Sequence, residues 1–211
     1  MKITSYPEPK TGGFAFTAEN EARAKTICAR YPADRKASAT IALLDLAQRQ
    51  NDGWLSPEAI EYVAAYLEVA PIRVYEVASF YTMFNLQPVG KYLIQVCRTT
   101  PCWLRGSDGI TAACKKKLGV GLKEVTEDGL FSVVEVECLG ACANAPMVQI
   151  NDFYYEDLTP EQMERIIDDL RAGKEVKVGS QTGRLASAPE GGPQTLLNVP
   201  GPNSTGAGGD D

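Results

Sequence analysis

Tyr92-Leu93-Ile94-Gln95-Val96-Cys97 is a short, largely apolar run preceded by Pro88-Val89-Gly90. It reads as a buried strand that ends at Cys97. Ile110, Ala113, Cys114 and Leu118 then recur at helical spacing, which predicts a helix from about Ser107 to Leu118. Phe131-Ser132-Val133-Val134-Glu135-Val136-Glu137 alternates into a second strand, and that strand ends at Cys138. Met147-Val148-Gln149-Ile150, the turn Asn151-Asp152 and Phe153-Tyr154-Tyr155 read as a hairpin. Thr159-Pro160-Glu161-Gln162 places Thr at the N-cap, Pro at the first turn and Gln three residues after the cap. That is a capping box, and Met163, Ile166, Ile167 and Leu170 give the helix behind it an apolar face.

The order is therefore β-α-β followed by β-β-α. A crossover makes the first two strands parallel, and the hairpin is antiparallel. This is the element order of the thioredoxin core. Upstream the period is helical. One helix is expected from about Thr17 to Arg30, ended by Pro32, and a second from about Ser38 to Gln50. A third is capped by Ser56 with Pro57 in its first turn, and a shorter fourth begins at Pro71. Short connections predict antiparallel neighbours in a small bundle. The fold class is α+β, a helical bundle followed by a thioredoxin-like domain. The expected division is an N-terminal extension over 1–16, the bundle over 17–88, the thioredoxin-like domain over 89–176 and an extended Gly/Pro-rich tail over 177–211. From Gly179 onward the chain lacks periodicity and is expected to be disordered by itself, with Leu185, Leu196, Leu197 and Val199 as isolated anchors for a partner.

Six cysteines and no histidine in 211 residues limit the chemistry. No catalytic pair that uses histidine is possible, nor a Cys₂His₂ zinc site, a Rieske centre or a His-ligated haem. There is no P-loop, and Gly119 and Gly121 do not extend to a dinucleotide fingerprint, so no nucleotide or flavin site is expected in this chain. The net charge of −6 argues against nucleic acid as a partner. No stretch is long and apolar enough to span a bilayer, and the N-terminus lacks the apolar core of a secretory signal. A cytoplasmic setting, or a processed form, is expected, and a reducing compartment argues against structural disulfides.

The cysteines divide four and two. Cys97 and Cys102 form C-x₄-C, and Cys138 and Cys142 form C-x₃-C, each pair in a loop at the end of a predicted strand. If the strands are neighbours, the four thiols converge. Converging thiolates hold zinc or an iron–sulfur cluster. The C-x₂-C knuckles usual for zinc are absent, and two pairs suit a [2Fe–2S] cluster, so [2Fe–2S] is favoured with zinc as the alternative. Cys28 and Cys114 fall on apolar helix stripes and read as core residues.

At these residues the sequence resembles the thioredoxin-like [2Fe–2S] ferredoxin subunits of NADH:quinone oxidoreductase, respiratory complex I. The resemblance runs from about Phe14 to Arg171. It includes Gly53-Trp54-Leu55, the run Glu76-Val77-Ala78-Ser79-Phe80-Tyr81-Thr82-Met83-Phe84, and Glu137-Cys138-Leu139-Gly140-Ala141-Cys142-Ala143-Asn144-Ala145-Pro146. Thr182-Gly183-Arg184 and Pro189-Glu190-Gly191-Gly192 look like the C-terminal extension of members from alphaproteobacteria and mitochondria.

The resemblance implies Cys97, Cys102, Cys138 and Cys142 as cluster ligands and a thioredoxin-like [2Fe–2S] ferredoxin domain. It implies no catalytic residue in this chain, whose enzyme activity belongs to the assembly. It implies an FMN- and NADH-binding subunit and a neighbouring iron–sulfur subunit as partners. The place is a peripheral arm on the cytoplasmic face of the inner membrane, without direct membrane insertion. The equivalent subunit of an NAD-dependent formate dehydrogenase or hydrogenase is the alternative, and a zinc-stabilised interaction module a third. Glu127, Asp128, Glu135 and Glu137 predict a low-potential centre. The thioredoxin-like placement of Pro146 predicts a cis Ala145–Pro146 bond. Removal of residues 179–211 is expected to weaken assembly and leave the cluster spectrum intact.

Overall fold

The computed structural model describes residues 13–192 and residue 195. The start of the expected N-terminal extension and the anchors Leu196, Leu197 and Val199 lie outside the described residues. The described chain forms two compact units. One holds residues up to 94 together with 118–134, and the other holds 95–117 together with residues from 135 onward.

In the first unit, α1 (Ala18–Cys28) is capped by Thr17, whose side chain accepts from the Asn20 N–H. A 3₁₀ segment (Ala33–Ala39) precedes α2 (Thr40–Gln50), where a single helix from Ser38 was expected. Arg35 leaves helical geometry (φ −124°) and the Thr40 hydroxyl donates to the Ala37 carbonyl, so the chain enters α2 through a tighter turn. The Ser56 side chain accepts from the Ala59 N–H and opens α3 (Pro57–Leu67); α4 (Pro71–Phe80) follows. Leu43, Leu44 and Ala47 of α2 share one core with Ile60, Val63, Ala64 and Leu67 of α3 and Val74 and Ala78 of α4. Each full burial of a Leu, Ile or Val in that core contributes about 1.5–3 kcal/mol. Phe16 seals one end edge-on to Tyr62 at 5.1 Å and Tyr66 at 5.9 Å. Cys28 is partly buried against the same core.

Strands β1 (Tyr92–Cys97) and β2 (Phe131–Val136) begin in the first unit and end in the second. The Tyr92 N–H donates to Leu130 O at the start of the pairing, and Arg98 N–H to Val136 O at its end, so the two strands run parallel as expected. Gly90 enters β1 with no room for a side chain: an added Cβ would meet the Phe131 carbonyl carbon at 2.4 Å.

The second unit continues with α5 (Thr100–Leu104), α6 (Ser107–Leu118), β3 (Val148–Ile150), β4 (Phe153–Glu156), α7 (Pro160–Arg171) and β5 (Gly179–Ser180). The sheet order is β2-β1-β3-β4-β5. β3 and β4 form the expected antiparallel hairpin, Val148 opposite Tyr155 and Ile150 opposite Phe153. The capping box at Thr159 and Gln162 is present, and Met163, Ile166, Ile167 and Leu170 are buried. Cys114 is fully buried. The Ala145–Pro146 bond is cis.

The segment from Gly179 departs from the expected disorder. Gly179 and Ser180 pair in parallel with Tyr155 and Glu156 as an added edge strand. Residues 180–188 then fold back through hydrogen bonds to Asp157, Ala143 and Asn144. A two-residue strand carries no periodic signal, and its partners are far away in sequence. Leu185 is 84% exposed.

Candidate metal centre

All the proposed ligands fall in the second unit. Cys97 is the last residue of β1 and Cys102 lies within α5. The expectation that each pair sits in a loop is thus corrected for the first pair. Pro101 suits the first turn of a helix, and Thr99 stands in extended geometry at its N-cap. Both sulfurs are buried, with Ala145 and Met147 around them and Leu139, Ala141 and Tyr154 packed against the group. The Cys97 N–H donates to Met147 O, which ties the end of β1 to the residue before β3. Cys138 follows β2, Cys142 opens a 3₁₀ turn (Cys142–Asn144), and both are exposed.

The thiols come in twos. Cys138 Sγ lies 3.4 Å from Cys142 Sγ. Two thiolates on one tetrahedral ion, with metal–sulfur bonds of about 2.3 Å, sit about 3.8 Å apart, so this spacing is close to that of a shared ion. Cys97 and Cys102 are buried together in one apolar patch. Among the described residues no three Cys, Asp or Glu side chains gather as ligands of a single ion. Leu139 and Ala141, between Cys138 and Cys142, nevertheless pack against the patch that holds Cys97 and Cys102. Two adjacent pairs are what a two-iron cluster with two protein ligands on each iron requires.

Each pair contains one sulfur favoured as thiolate. For Cys97, burial opposes ionisation, but hydrogen bonds from the Thr99 hydroxyl, from the backbone at Thr99 and Leu139, and from the Cys102 thiol outweigh it and lower its pKa. For Cys138 the Gly140 backbone N–H leads, followed by the Cys142 thiol and Thr99, and the pKa again falls. Gly140 sits at φ +85°, a conformation open to glycine, which lets its N–H reach the sulfur. Cys102 is pushed up by burial and by its neighbour Cys97. Cys142 is raised chiefly by donating to Cys138. These donors are the groups that stabilise negative charge on cluster sulfurs.

Several residues of the site escape sequence reasoning. Thr99 reaches one sulfur of each pair. The Tyr154 hydroxyl donates to Leu139 O at 2.8 Å and holds the second loop from β4. Asn144, 2% exposed, donates to Glu156 Oε2 at 2.9 Å and to Ala186 O at 2.8 Å. The sequence signal for Thr99 was its place between the first two cysteines; Tyr154 had none beyond its strand. The expected acidic surroundings are also thinner than their spacing suggests. Glu135 is paired with Arg98 at 3.3 Å, and Asp128 accepts from Thr126 and from the Leu130 N–H in its own turn. Glu137 is exposed beside Cys138.

The family model of thioredoxin-like [2Fe–2S] ferredoxins matches residues 24–171. The E-type subunit of NADH-quinone oxidoreductase from Rickettsia bellii is 64% identical over 162 residues, which cover 77% of this chain and 97% of that relative. The mitochondrial NADH dehydrogenase [ubiquinone] flavoprotein 2 of Dictyostelium discoideum is 51% identical over 187 residues, covering 89% of this chain and 76% of the relative. In fold, the chain is similar to an NAD⁺-reducing [NiFe]-hydrogenase at TM-score 0.57 and 20% identity, over 65% of this chain and 23% of that one. The chain therefore spans about a quarter of the hydrogenase chain, and that likeness concerns the fold alone. With most of its length matched by the family model, the chain belongs to the thioredoxin-like [2Fe–2S] ferredoxin family.

Proposed function

We propose that this chain is the electron-carrying [2Fe–2S] subunit of an NADH:quinone oxidoreductase, with Cys97, Cys102, Cys138 and Cys142 as the four ligands. The observation that carries the reading is the grouping of these thiols as two adjacent pairs in one unit. Close identity to the Rickettsia bellii oxidoreductase subunit supports this assembly over the hydrogenase alternative, which rests on fold alone. When bound, such a cluster accepts and releases one electron at a time. The chain does the holding. β1 and α5 present two sulfurs from a buried apolar patch, while the Gly140 loop presents two at the surface. Thr99, Gly140 and Leu139 place donors against the sulfur charge. With no histidine in the chain, no imidazole is available to move a proton near neutral pH.

In this reading the electron is exchanged with an FMN- and NADH-binding subunit, and a neighbouring iron–sulfur subunit shares the peripheral arm on the cytoplasmic face of the inner membrane. The chain then holds one electron of each hydride pair at the flavin. Exposed apolar residues support a partner on each unit: Trp103 and Leu104 beside Cys102, and Ile72, Phe80 and Met83 on or after α4. Among the described residues no helix is long and apolar enough to cross a membrane. The full chain, purified without oxygen, is expected to contain about two irons and two acid-labile sulfides, and to give an EPR signal on reduction. Single Cys→Ser changes at the four positions should abolish or shift that signal, whereas Cys28→Ser and Cys114→Ser should not. A colourless protein with stoichiometric zinc overturns the reading in favour of a structural metal.

A further inference from the structure

The C-terminal segment grips the loop that carries Cys138 and Cys142 from behind. Asp157 follows β4 in left-handed geometry (φ 53°), and its carboxylate is buried. The Ser180 hydroxyl donates to Asp157 Oδ2 at 2.6 Å, and Arg184 Nη2 pairs with Asp157 Oδ1 at 2.8 Å, with the two charged side chains 9% and 4% exposed. The other arm of the guanidinium, Nη1, donates to Ala143 O at 2.8 Å, next to Cys142. Asn144 Nδ2 donates to Ala186 O, and the Asp157 N–H donates to Asn144 O at 2.8 Å. The Arg184 backbone N–H is itself held by Ser180 Oγ at 3.1 Å. The Arg184 side chain thus joins Asp157, just after β4, to the segment after β5 and, through an exposed hydrogen bond, to the carbonyl beside a proposed ligand. A guanidinium has two terminal nitrogens, so one can pair with the carboxylate while the other donates to the carbonyl.

From this geometry we infer that Arg184, held by Asp157, is a positioning residue for the Cys138–Cys142 loop, and that the segment 179–192 is part of the cluster's support. The inference rests on the proposed ligand assignment. It reverses the sequence-based expectation that removing residues 179–211 leaves the cluster spectrum intact.

The test uses the full chain and compares Arg184→Ala, Arg184→Lys and Leu185→Ala. Arg184→Lys keeps a charge for Asp157 but deletes the bond to Ala143 O, which separates loop positioning from folding. Leu185 is exposed and serves as control. Three quantities are read: amide exchange over residues 139–145 with and without iron and sulfide, the EPR line shape, and the midpoint potential. Both Arg184 variants should exchange about tenfold faster over the loop, the change expected for one charge-assisted hydrogen bond in a local opening. They should also broaden the EPR signal and shift the potential, while Leu185→Ala matches the wild type. Chains stopped after Val178 should behave like Arg184→Ala, and chains stopped after Gly192 like the wild type. Unchanged loop exchange and potential in Arg184→Lys overturn the inference. If the wild type binds no iron and sulfide, the functional reading falls, and loop exchange in the metal-free chain still decides the role of Arg184.

Discussion

The Thr99 hydroxyl lies 3.4 Å from Cys97 Sγ and also helps to lower the Cys138 pKa. Donation to sulfur favours the more negative, reduced state. Thr99→Ala should therefore lower the midpoint potential by about 40 mV, the equivalent of one hydrogen bond of about 1 kcal/mol on a one-electron couple. A potential that stays level or rises excludes Thr99 as a donor to the cluster. Cys114 shows the opposite kind of cysteine. Burial pushes its thiol up to about 12, against an ordinary value of 9.0. Unfolding releases its proton once the pH exceeds about 9, because the exposed thiol ionises there while the buried one does not. Its contribution to stability is complete below that pH and is lost as the pH climbs from about 9 toward 12. Denaturant midpoints measured from pH 8 to 10.5 should fall more steeply in the wild type than in Cys114→Ala. Parallel slopes would show that the thiol is not held neutral by the fold. The split of six cysteines into four and two was legible in the sequence, since two lie on helical stripes and four follow strands. Thr99 as a shared donor was not, because its two partners lie on different loops.

At the scale of elements, local chemistry predicted well wherever the signal was local. Ser56 and Thr159 cap their helices through hydrogen bonds to the backbone three residues on. The helix over Ser107–Leu118 and the strand over Tyr92–Cys97 coincide with their periodic patterns. Among the α-helices and strands, two were missed. α5 is five residues long and carries no apolar repeat, and β5 has two residues. Both exist because of what they contact: Cys102 turns into the apolar patch, and Gly179–Ser180 extend β4. Gly90 marks where β1 must pass close to another strand. The Phe131 backbone that an added Cβ would strike is not a flexible side chain that can swing away. Gly90→Ala should destabilise the chain by about 1–3 kcal/mol, the usual cost of overpacking, with a lower denaturant midpoint and an unchanged slope. A stability within error of the wild type would mean that the strand entry shifts freely.

At the scale of the molecule, the segment after α7 changes its role. By composition residues 177–211 form a tail, and a Gly- and Pro-rich run cannot bury enough apolar surface to order itself. Residues 179–192 are ordered by polar means instead, through one added strand and a buried Arg184–Asp157 pair. Such a pair costs desolvation, so its net gain in stability is small, but the loss of one partner leaves a buried charge unmatched. The sequence by itself determined the helical bundle, the β-α-β and β-β-α order, the caps and two cysteine pairs that each begin where a strand ends. Those follow from periodicity and from short-range hydrogen bonding, which are written in neighbouring residues. Only the tertiary structure decided that the thiols meet as two pairs, that Glu135 is offset by Arg98, and that Arg184 reaches the carbonyl beside Cys142. Each of these joins residues far apart in the chain, and the distance between them is set by how strands pair and loops return, which no local pattern encodes.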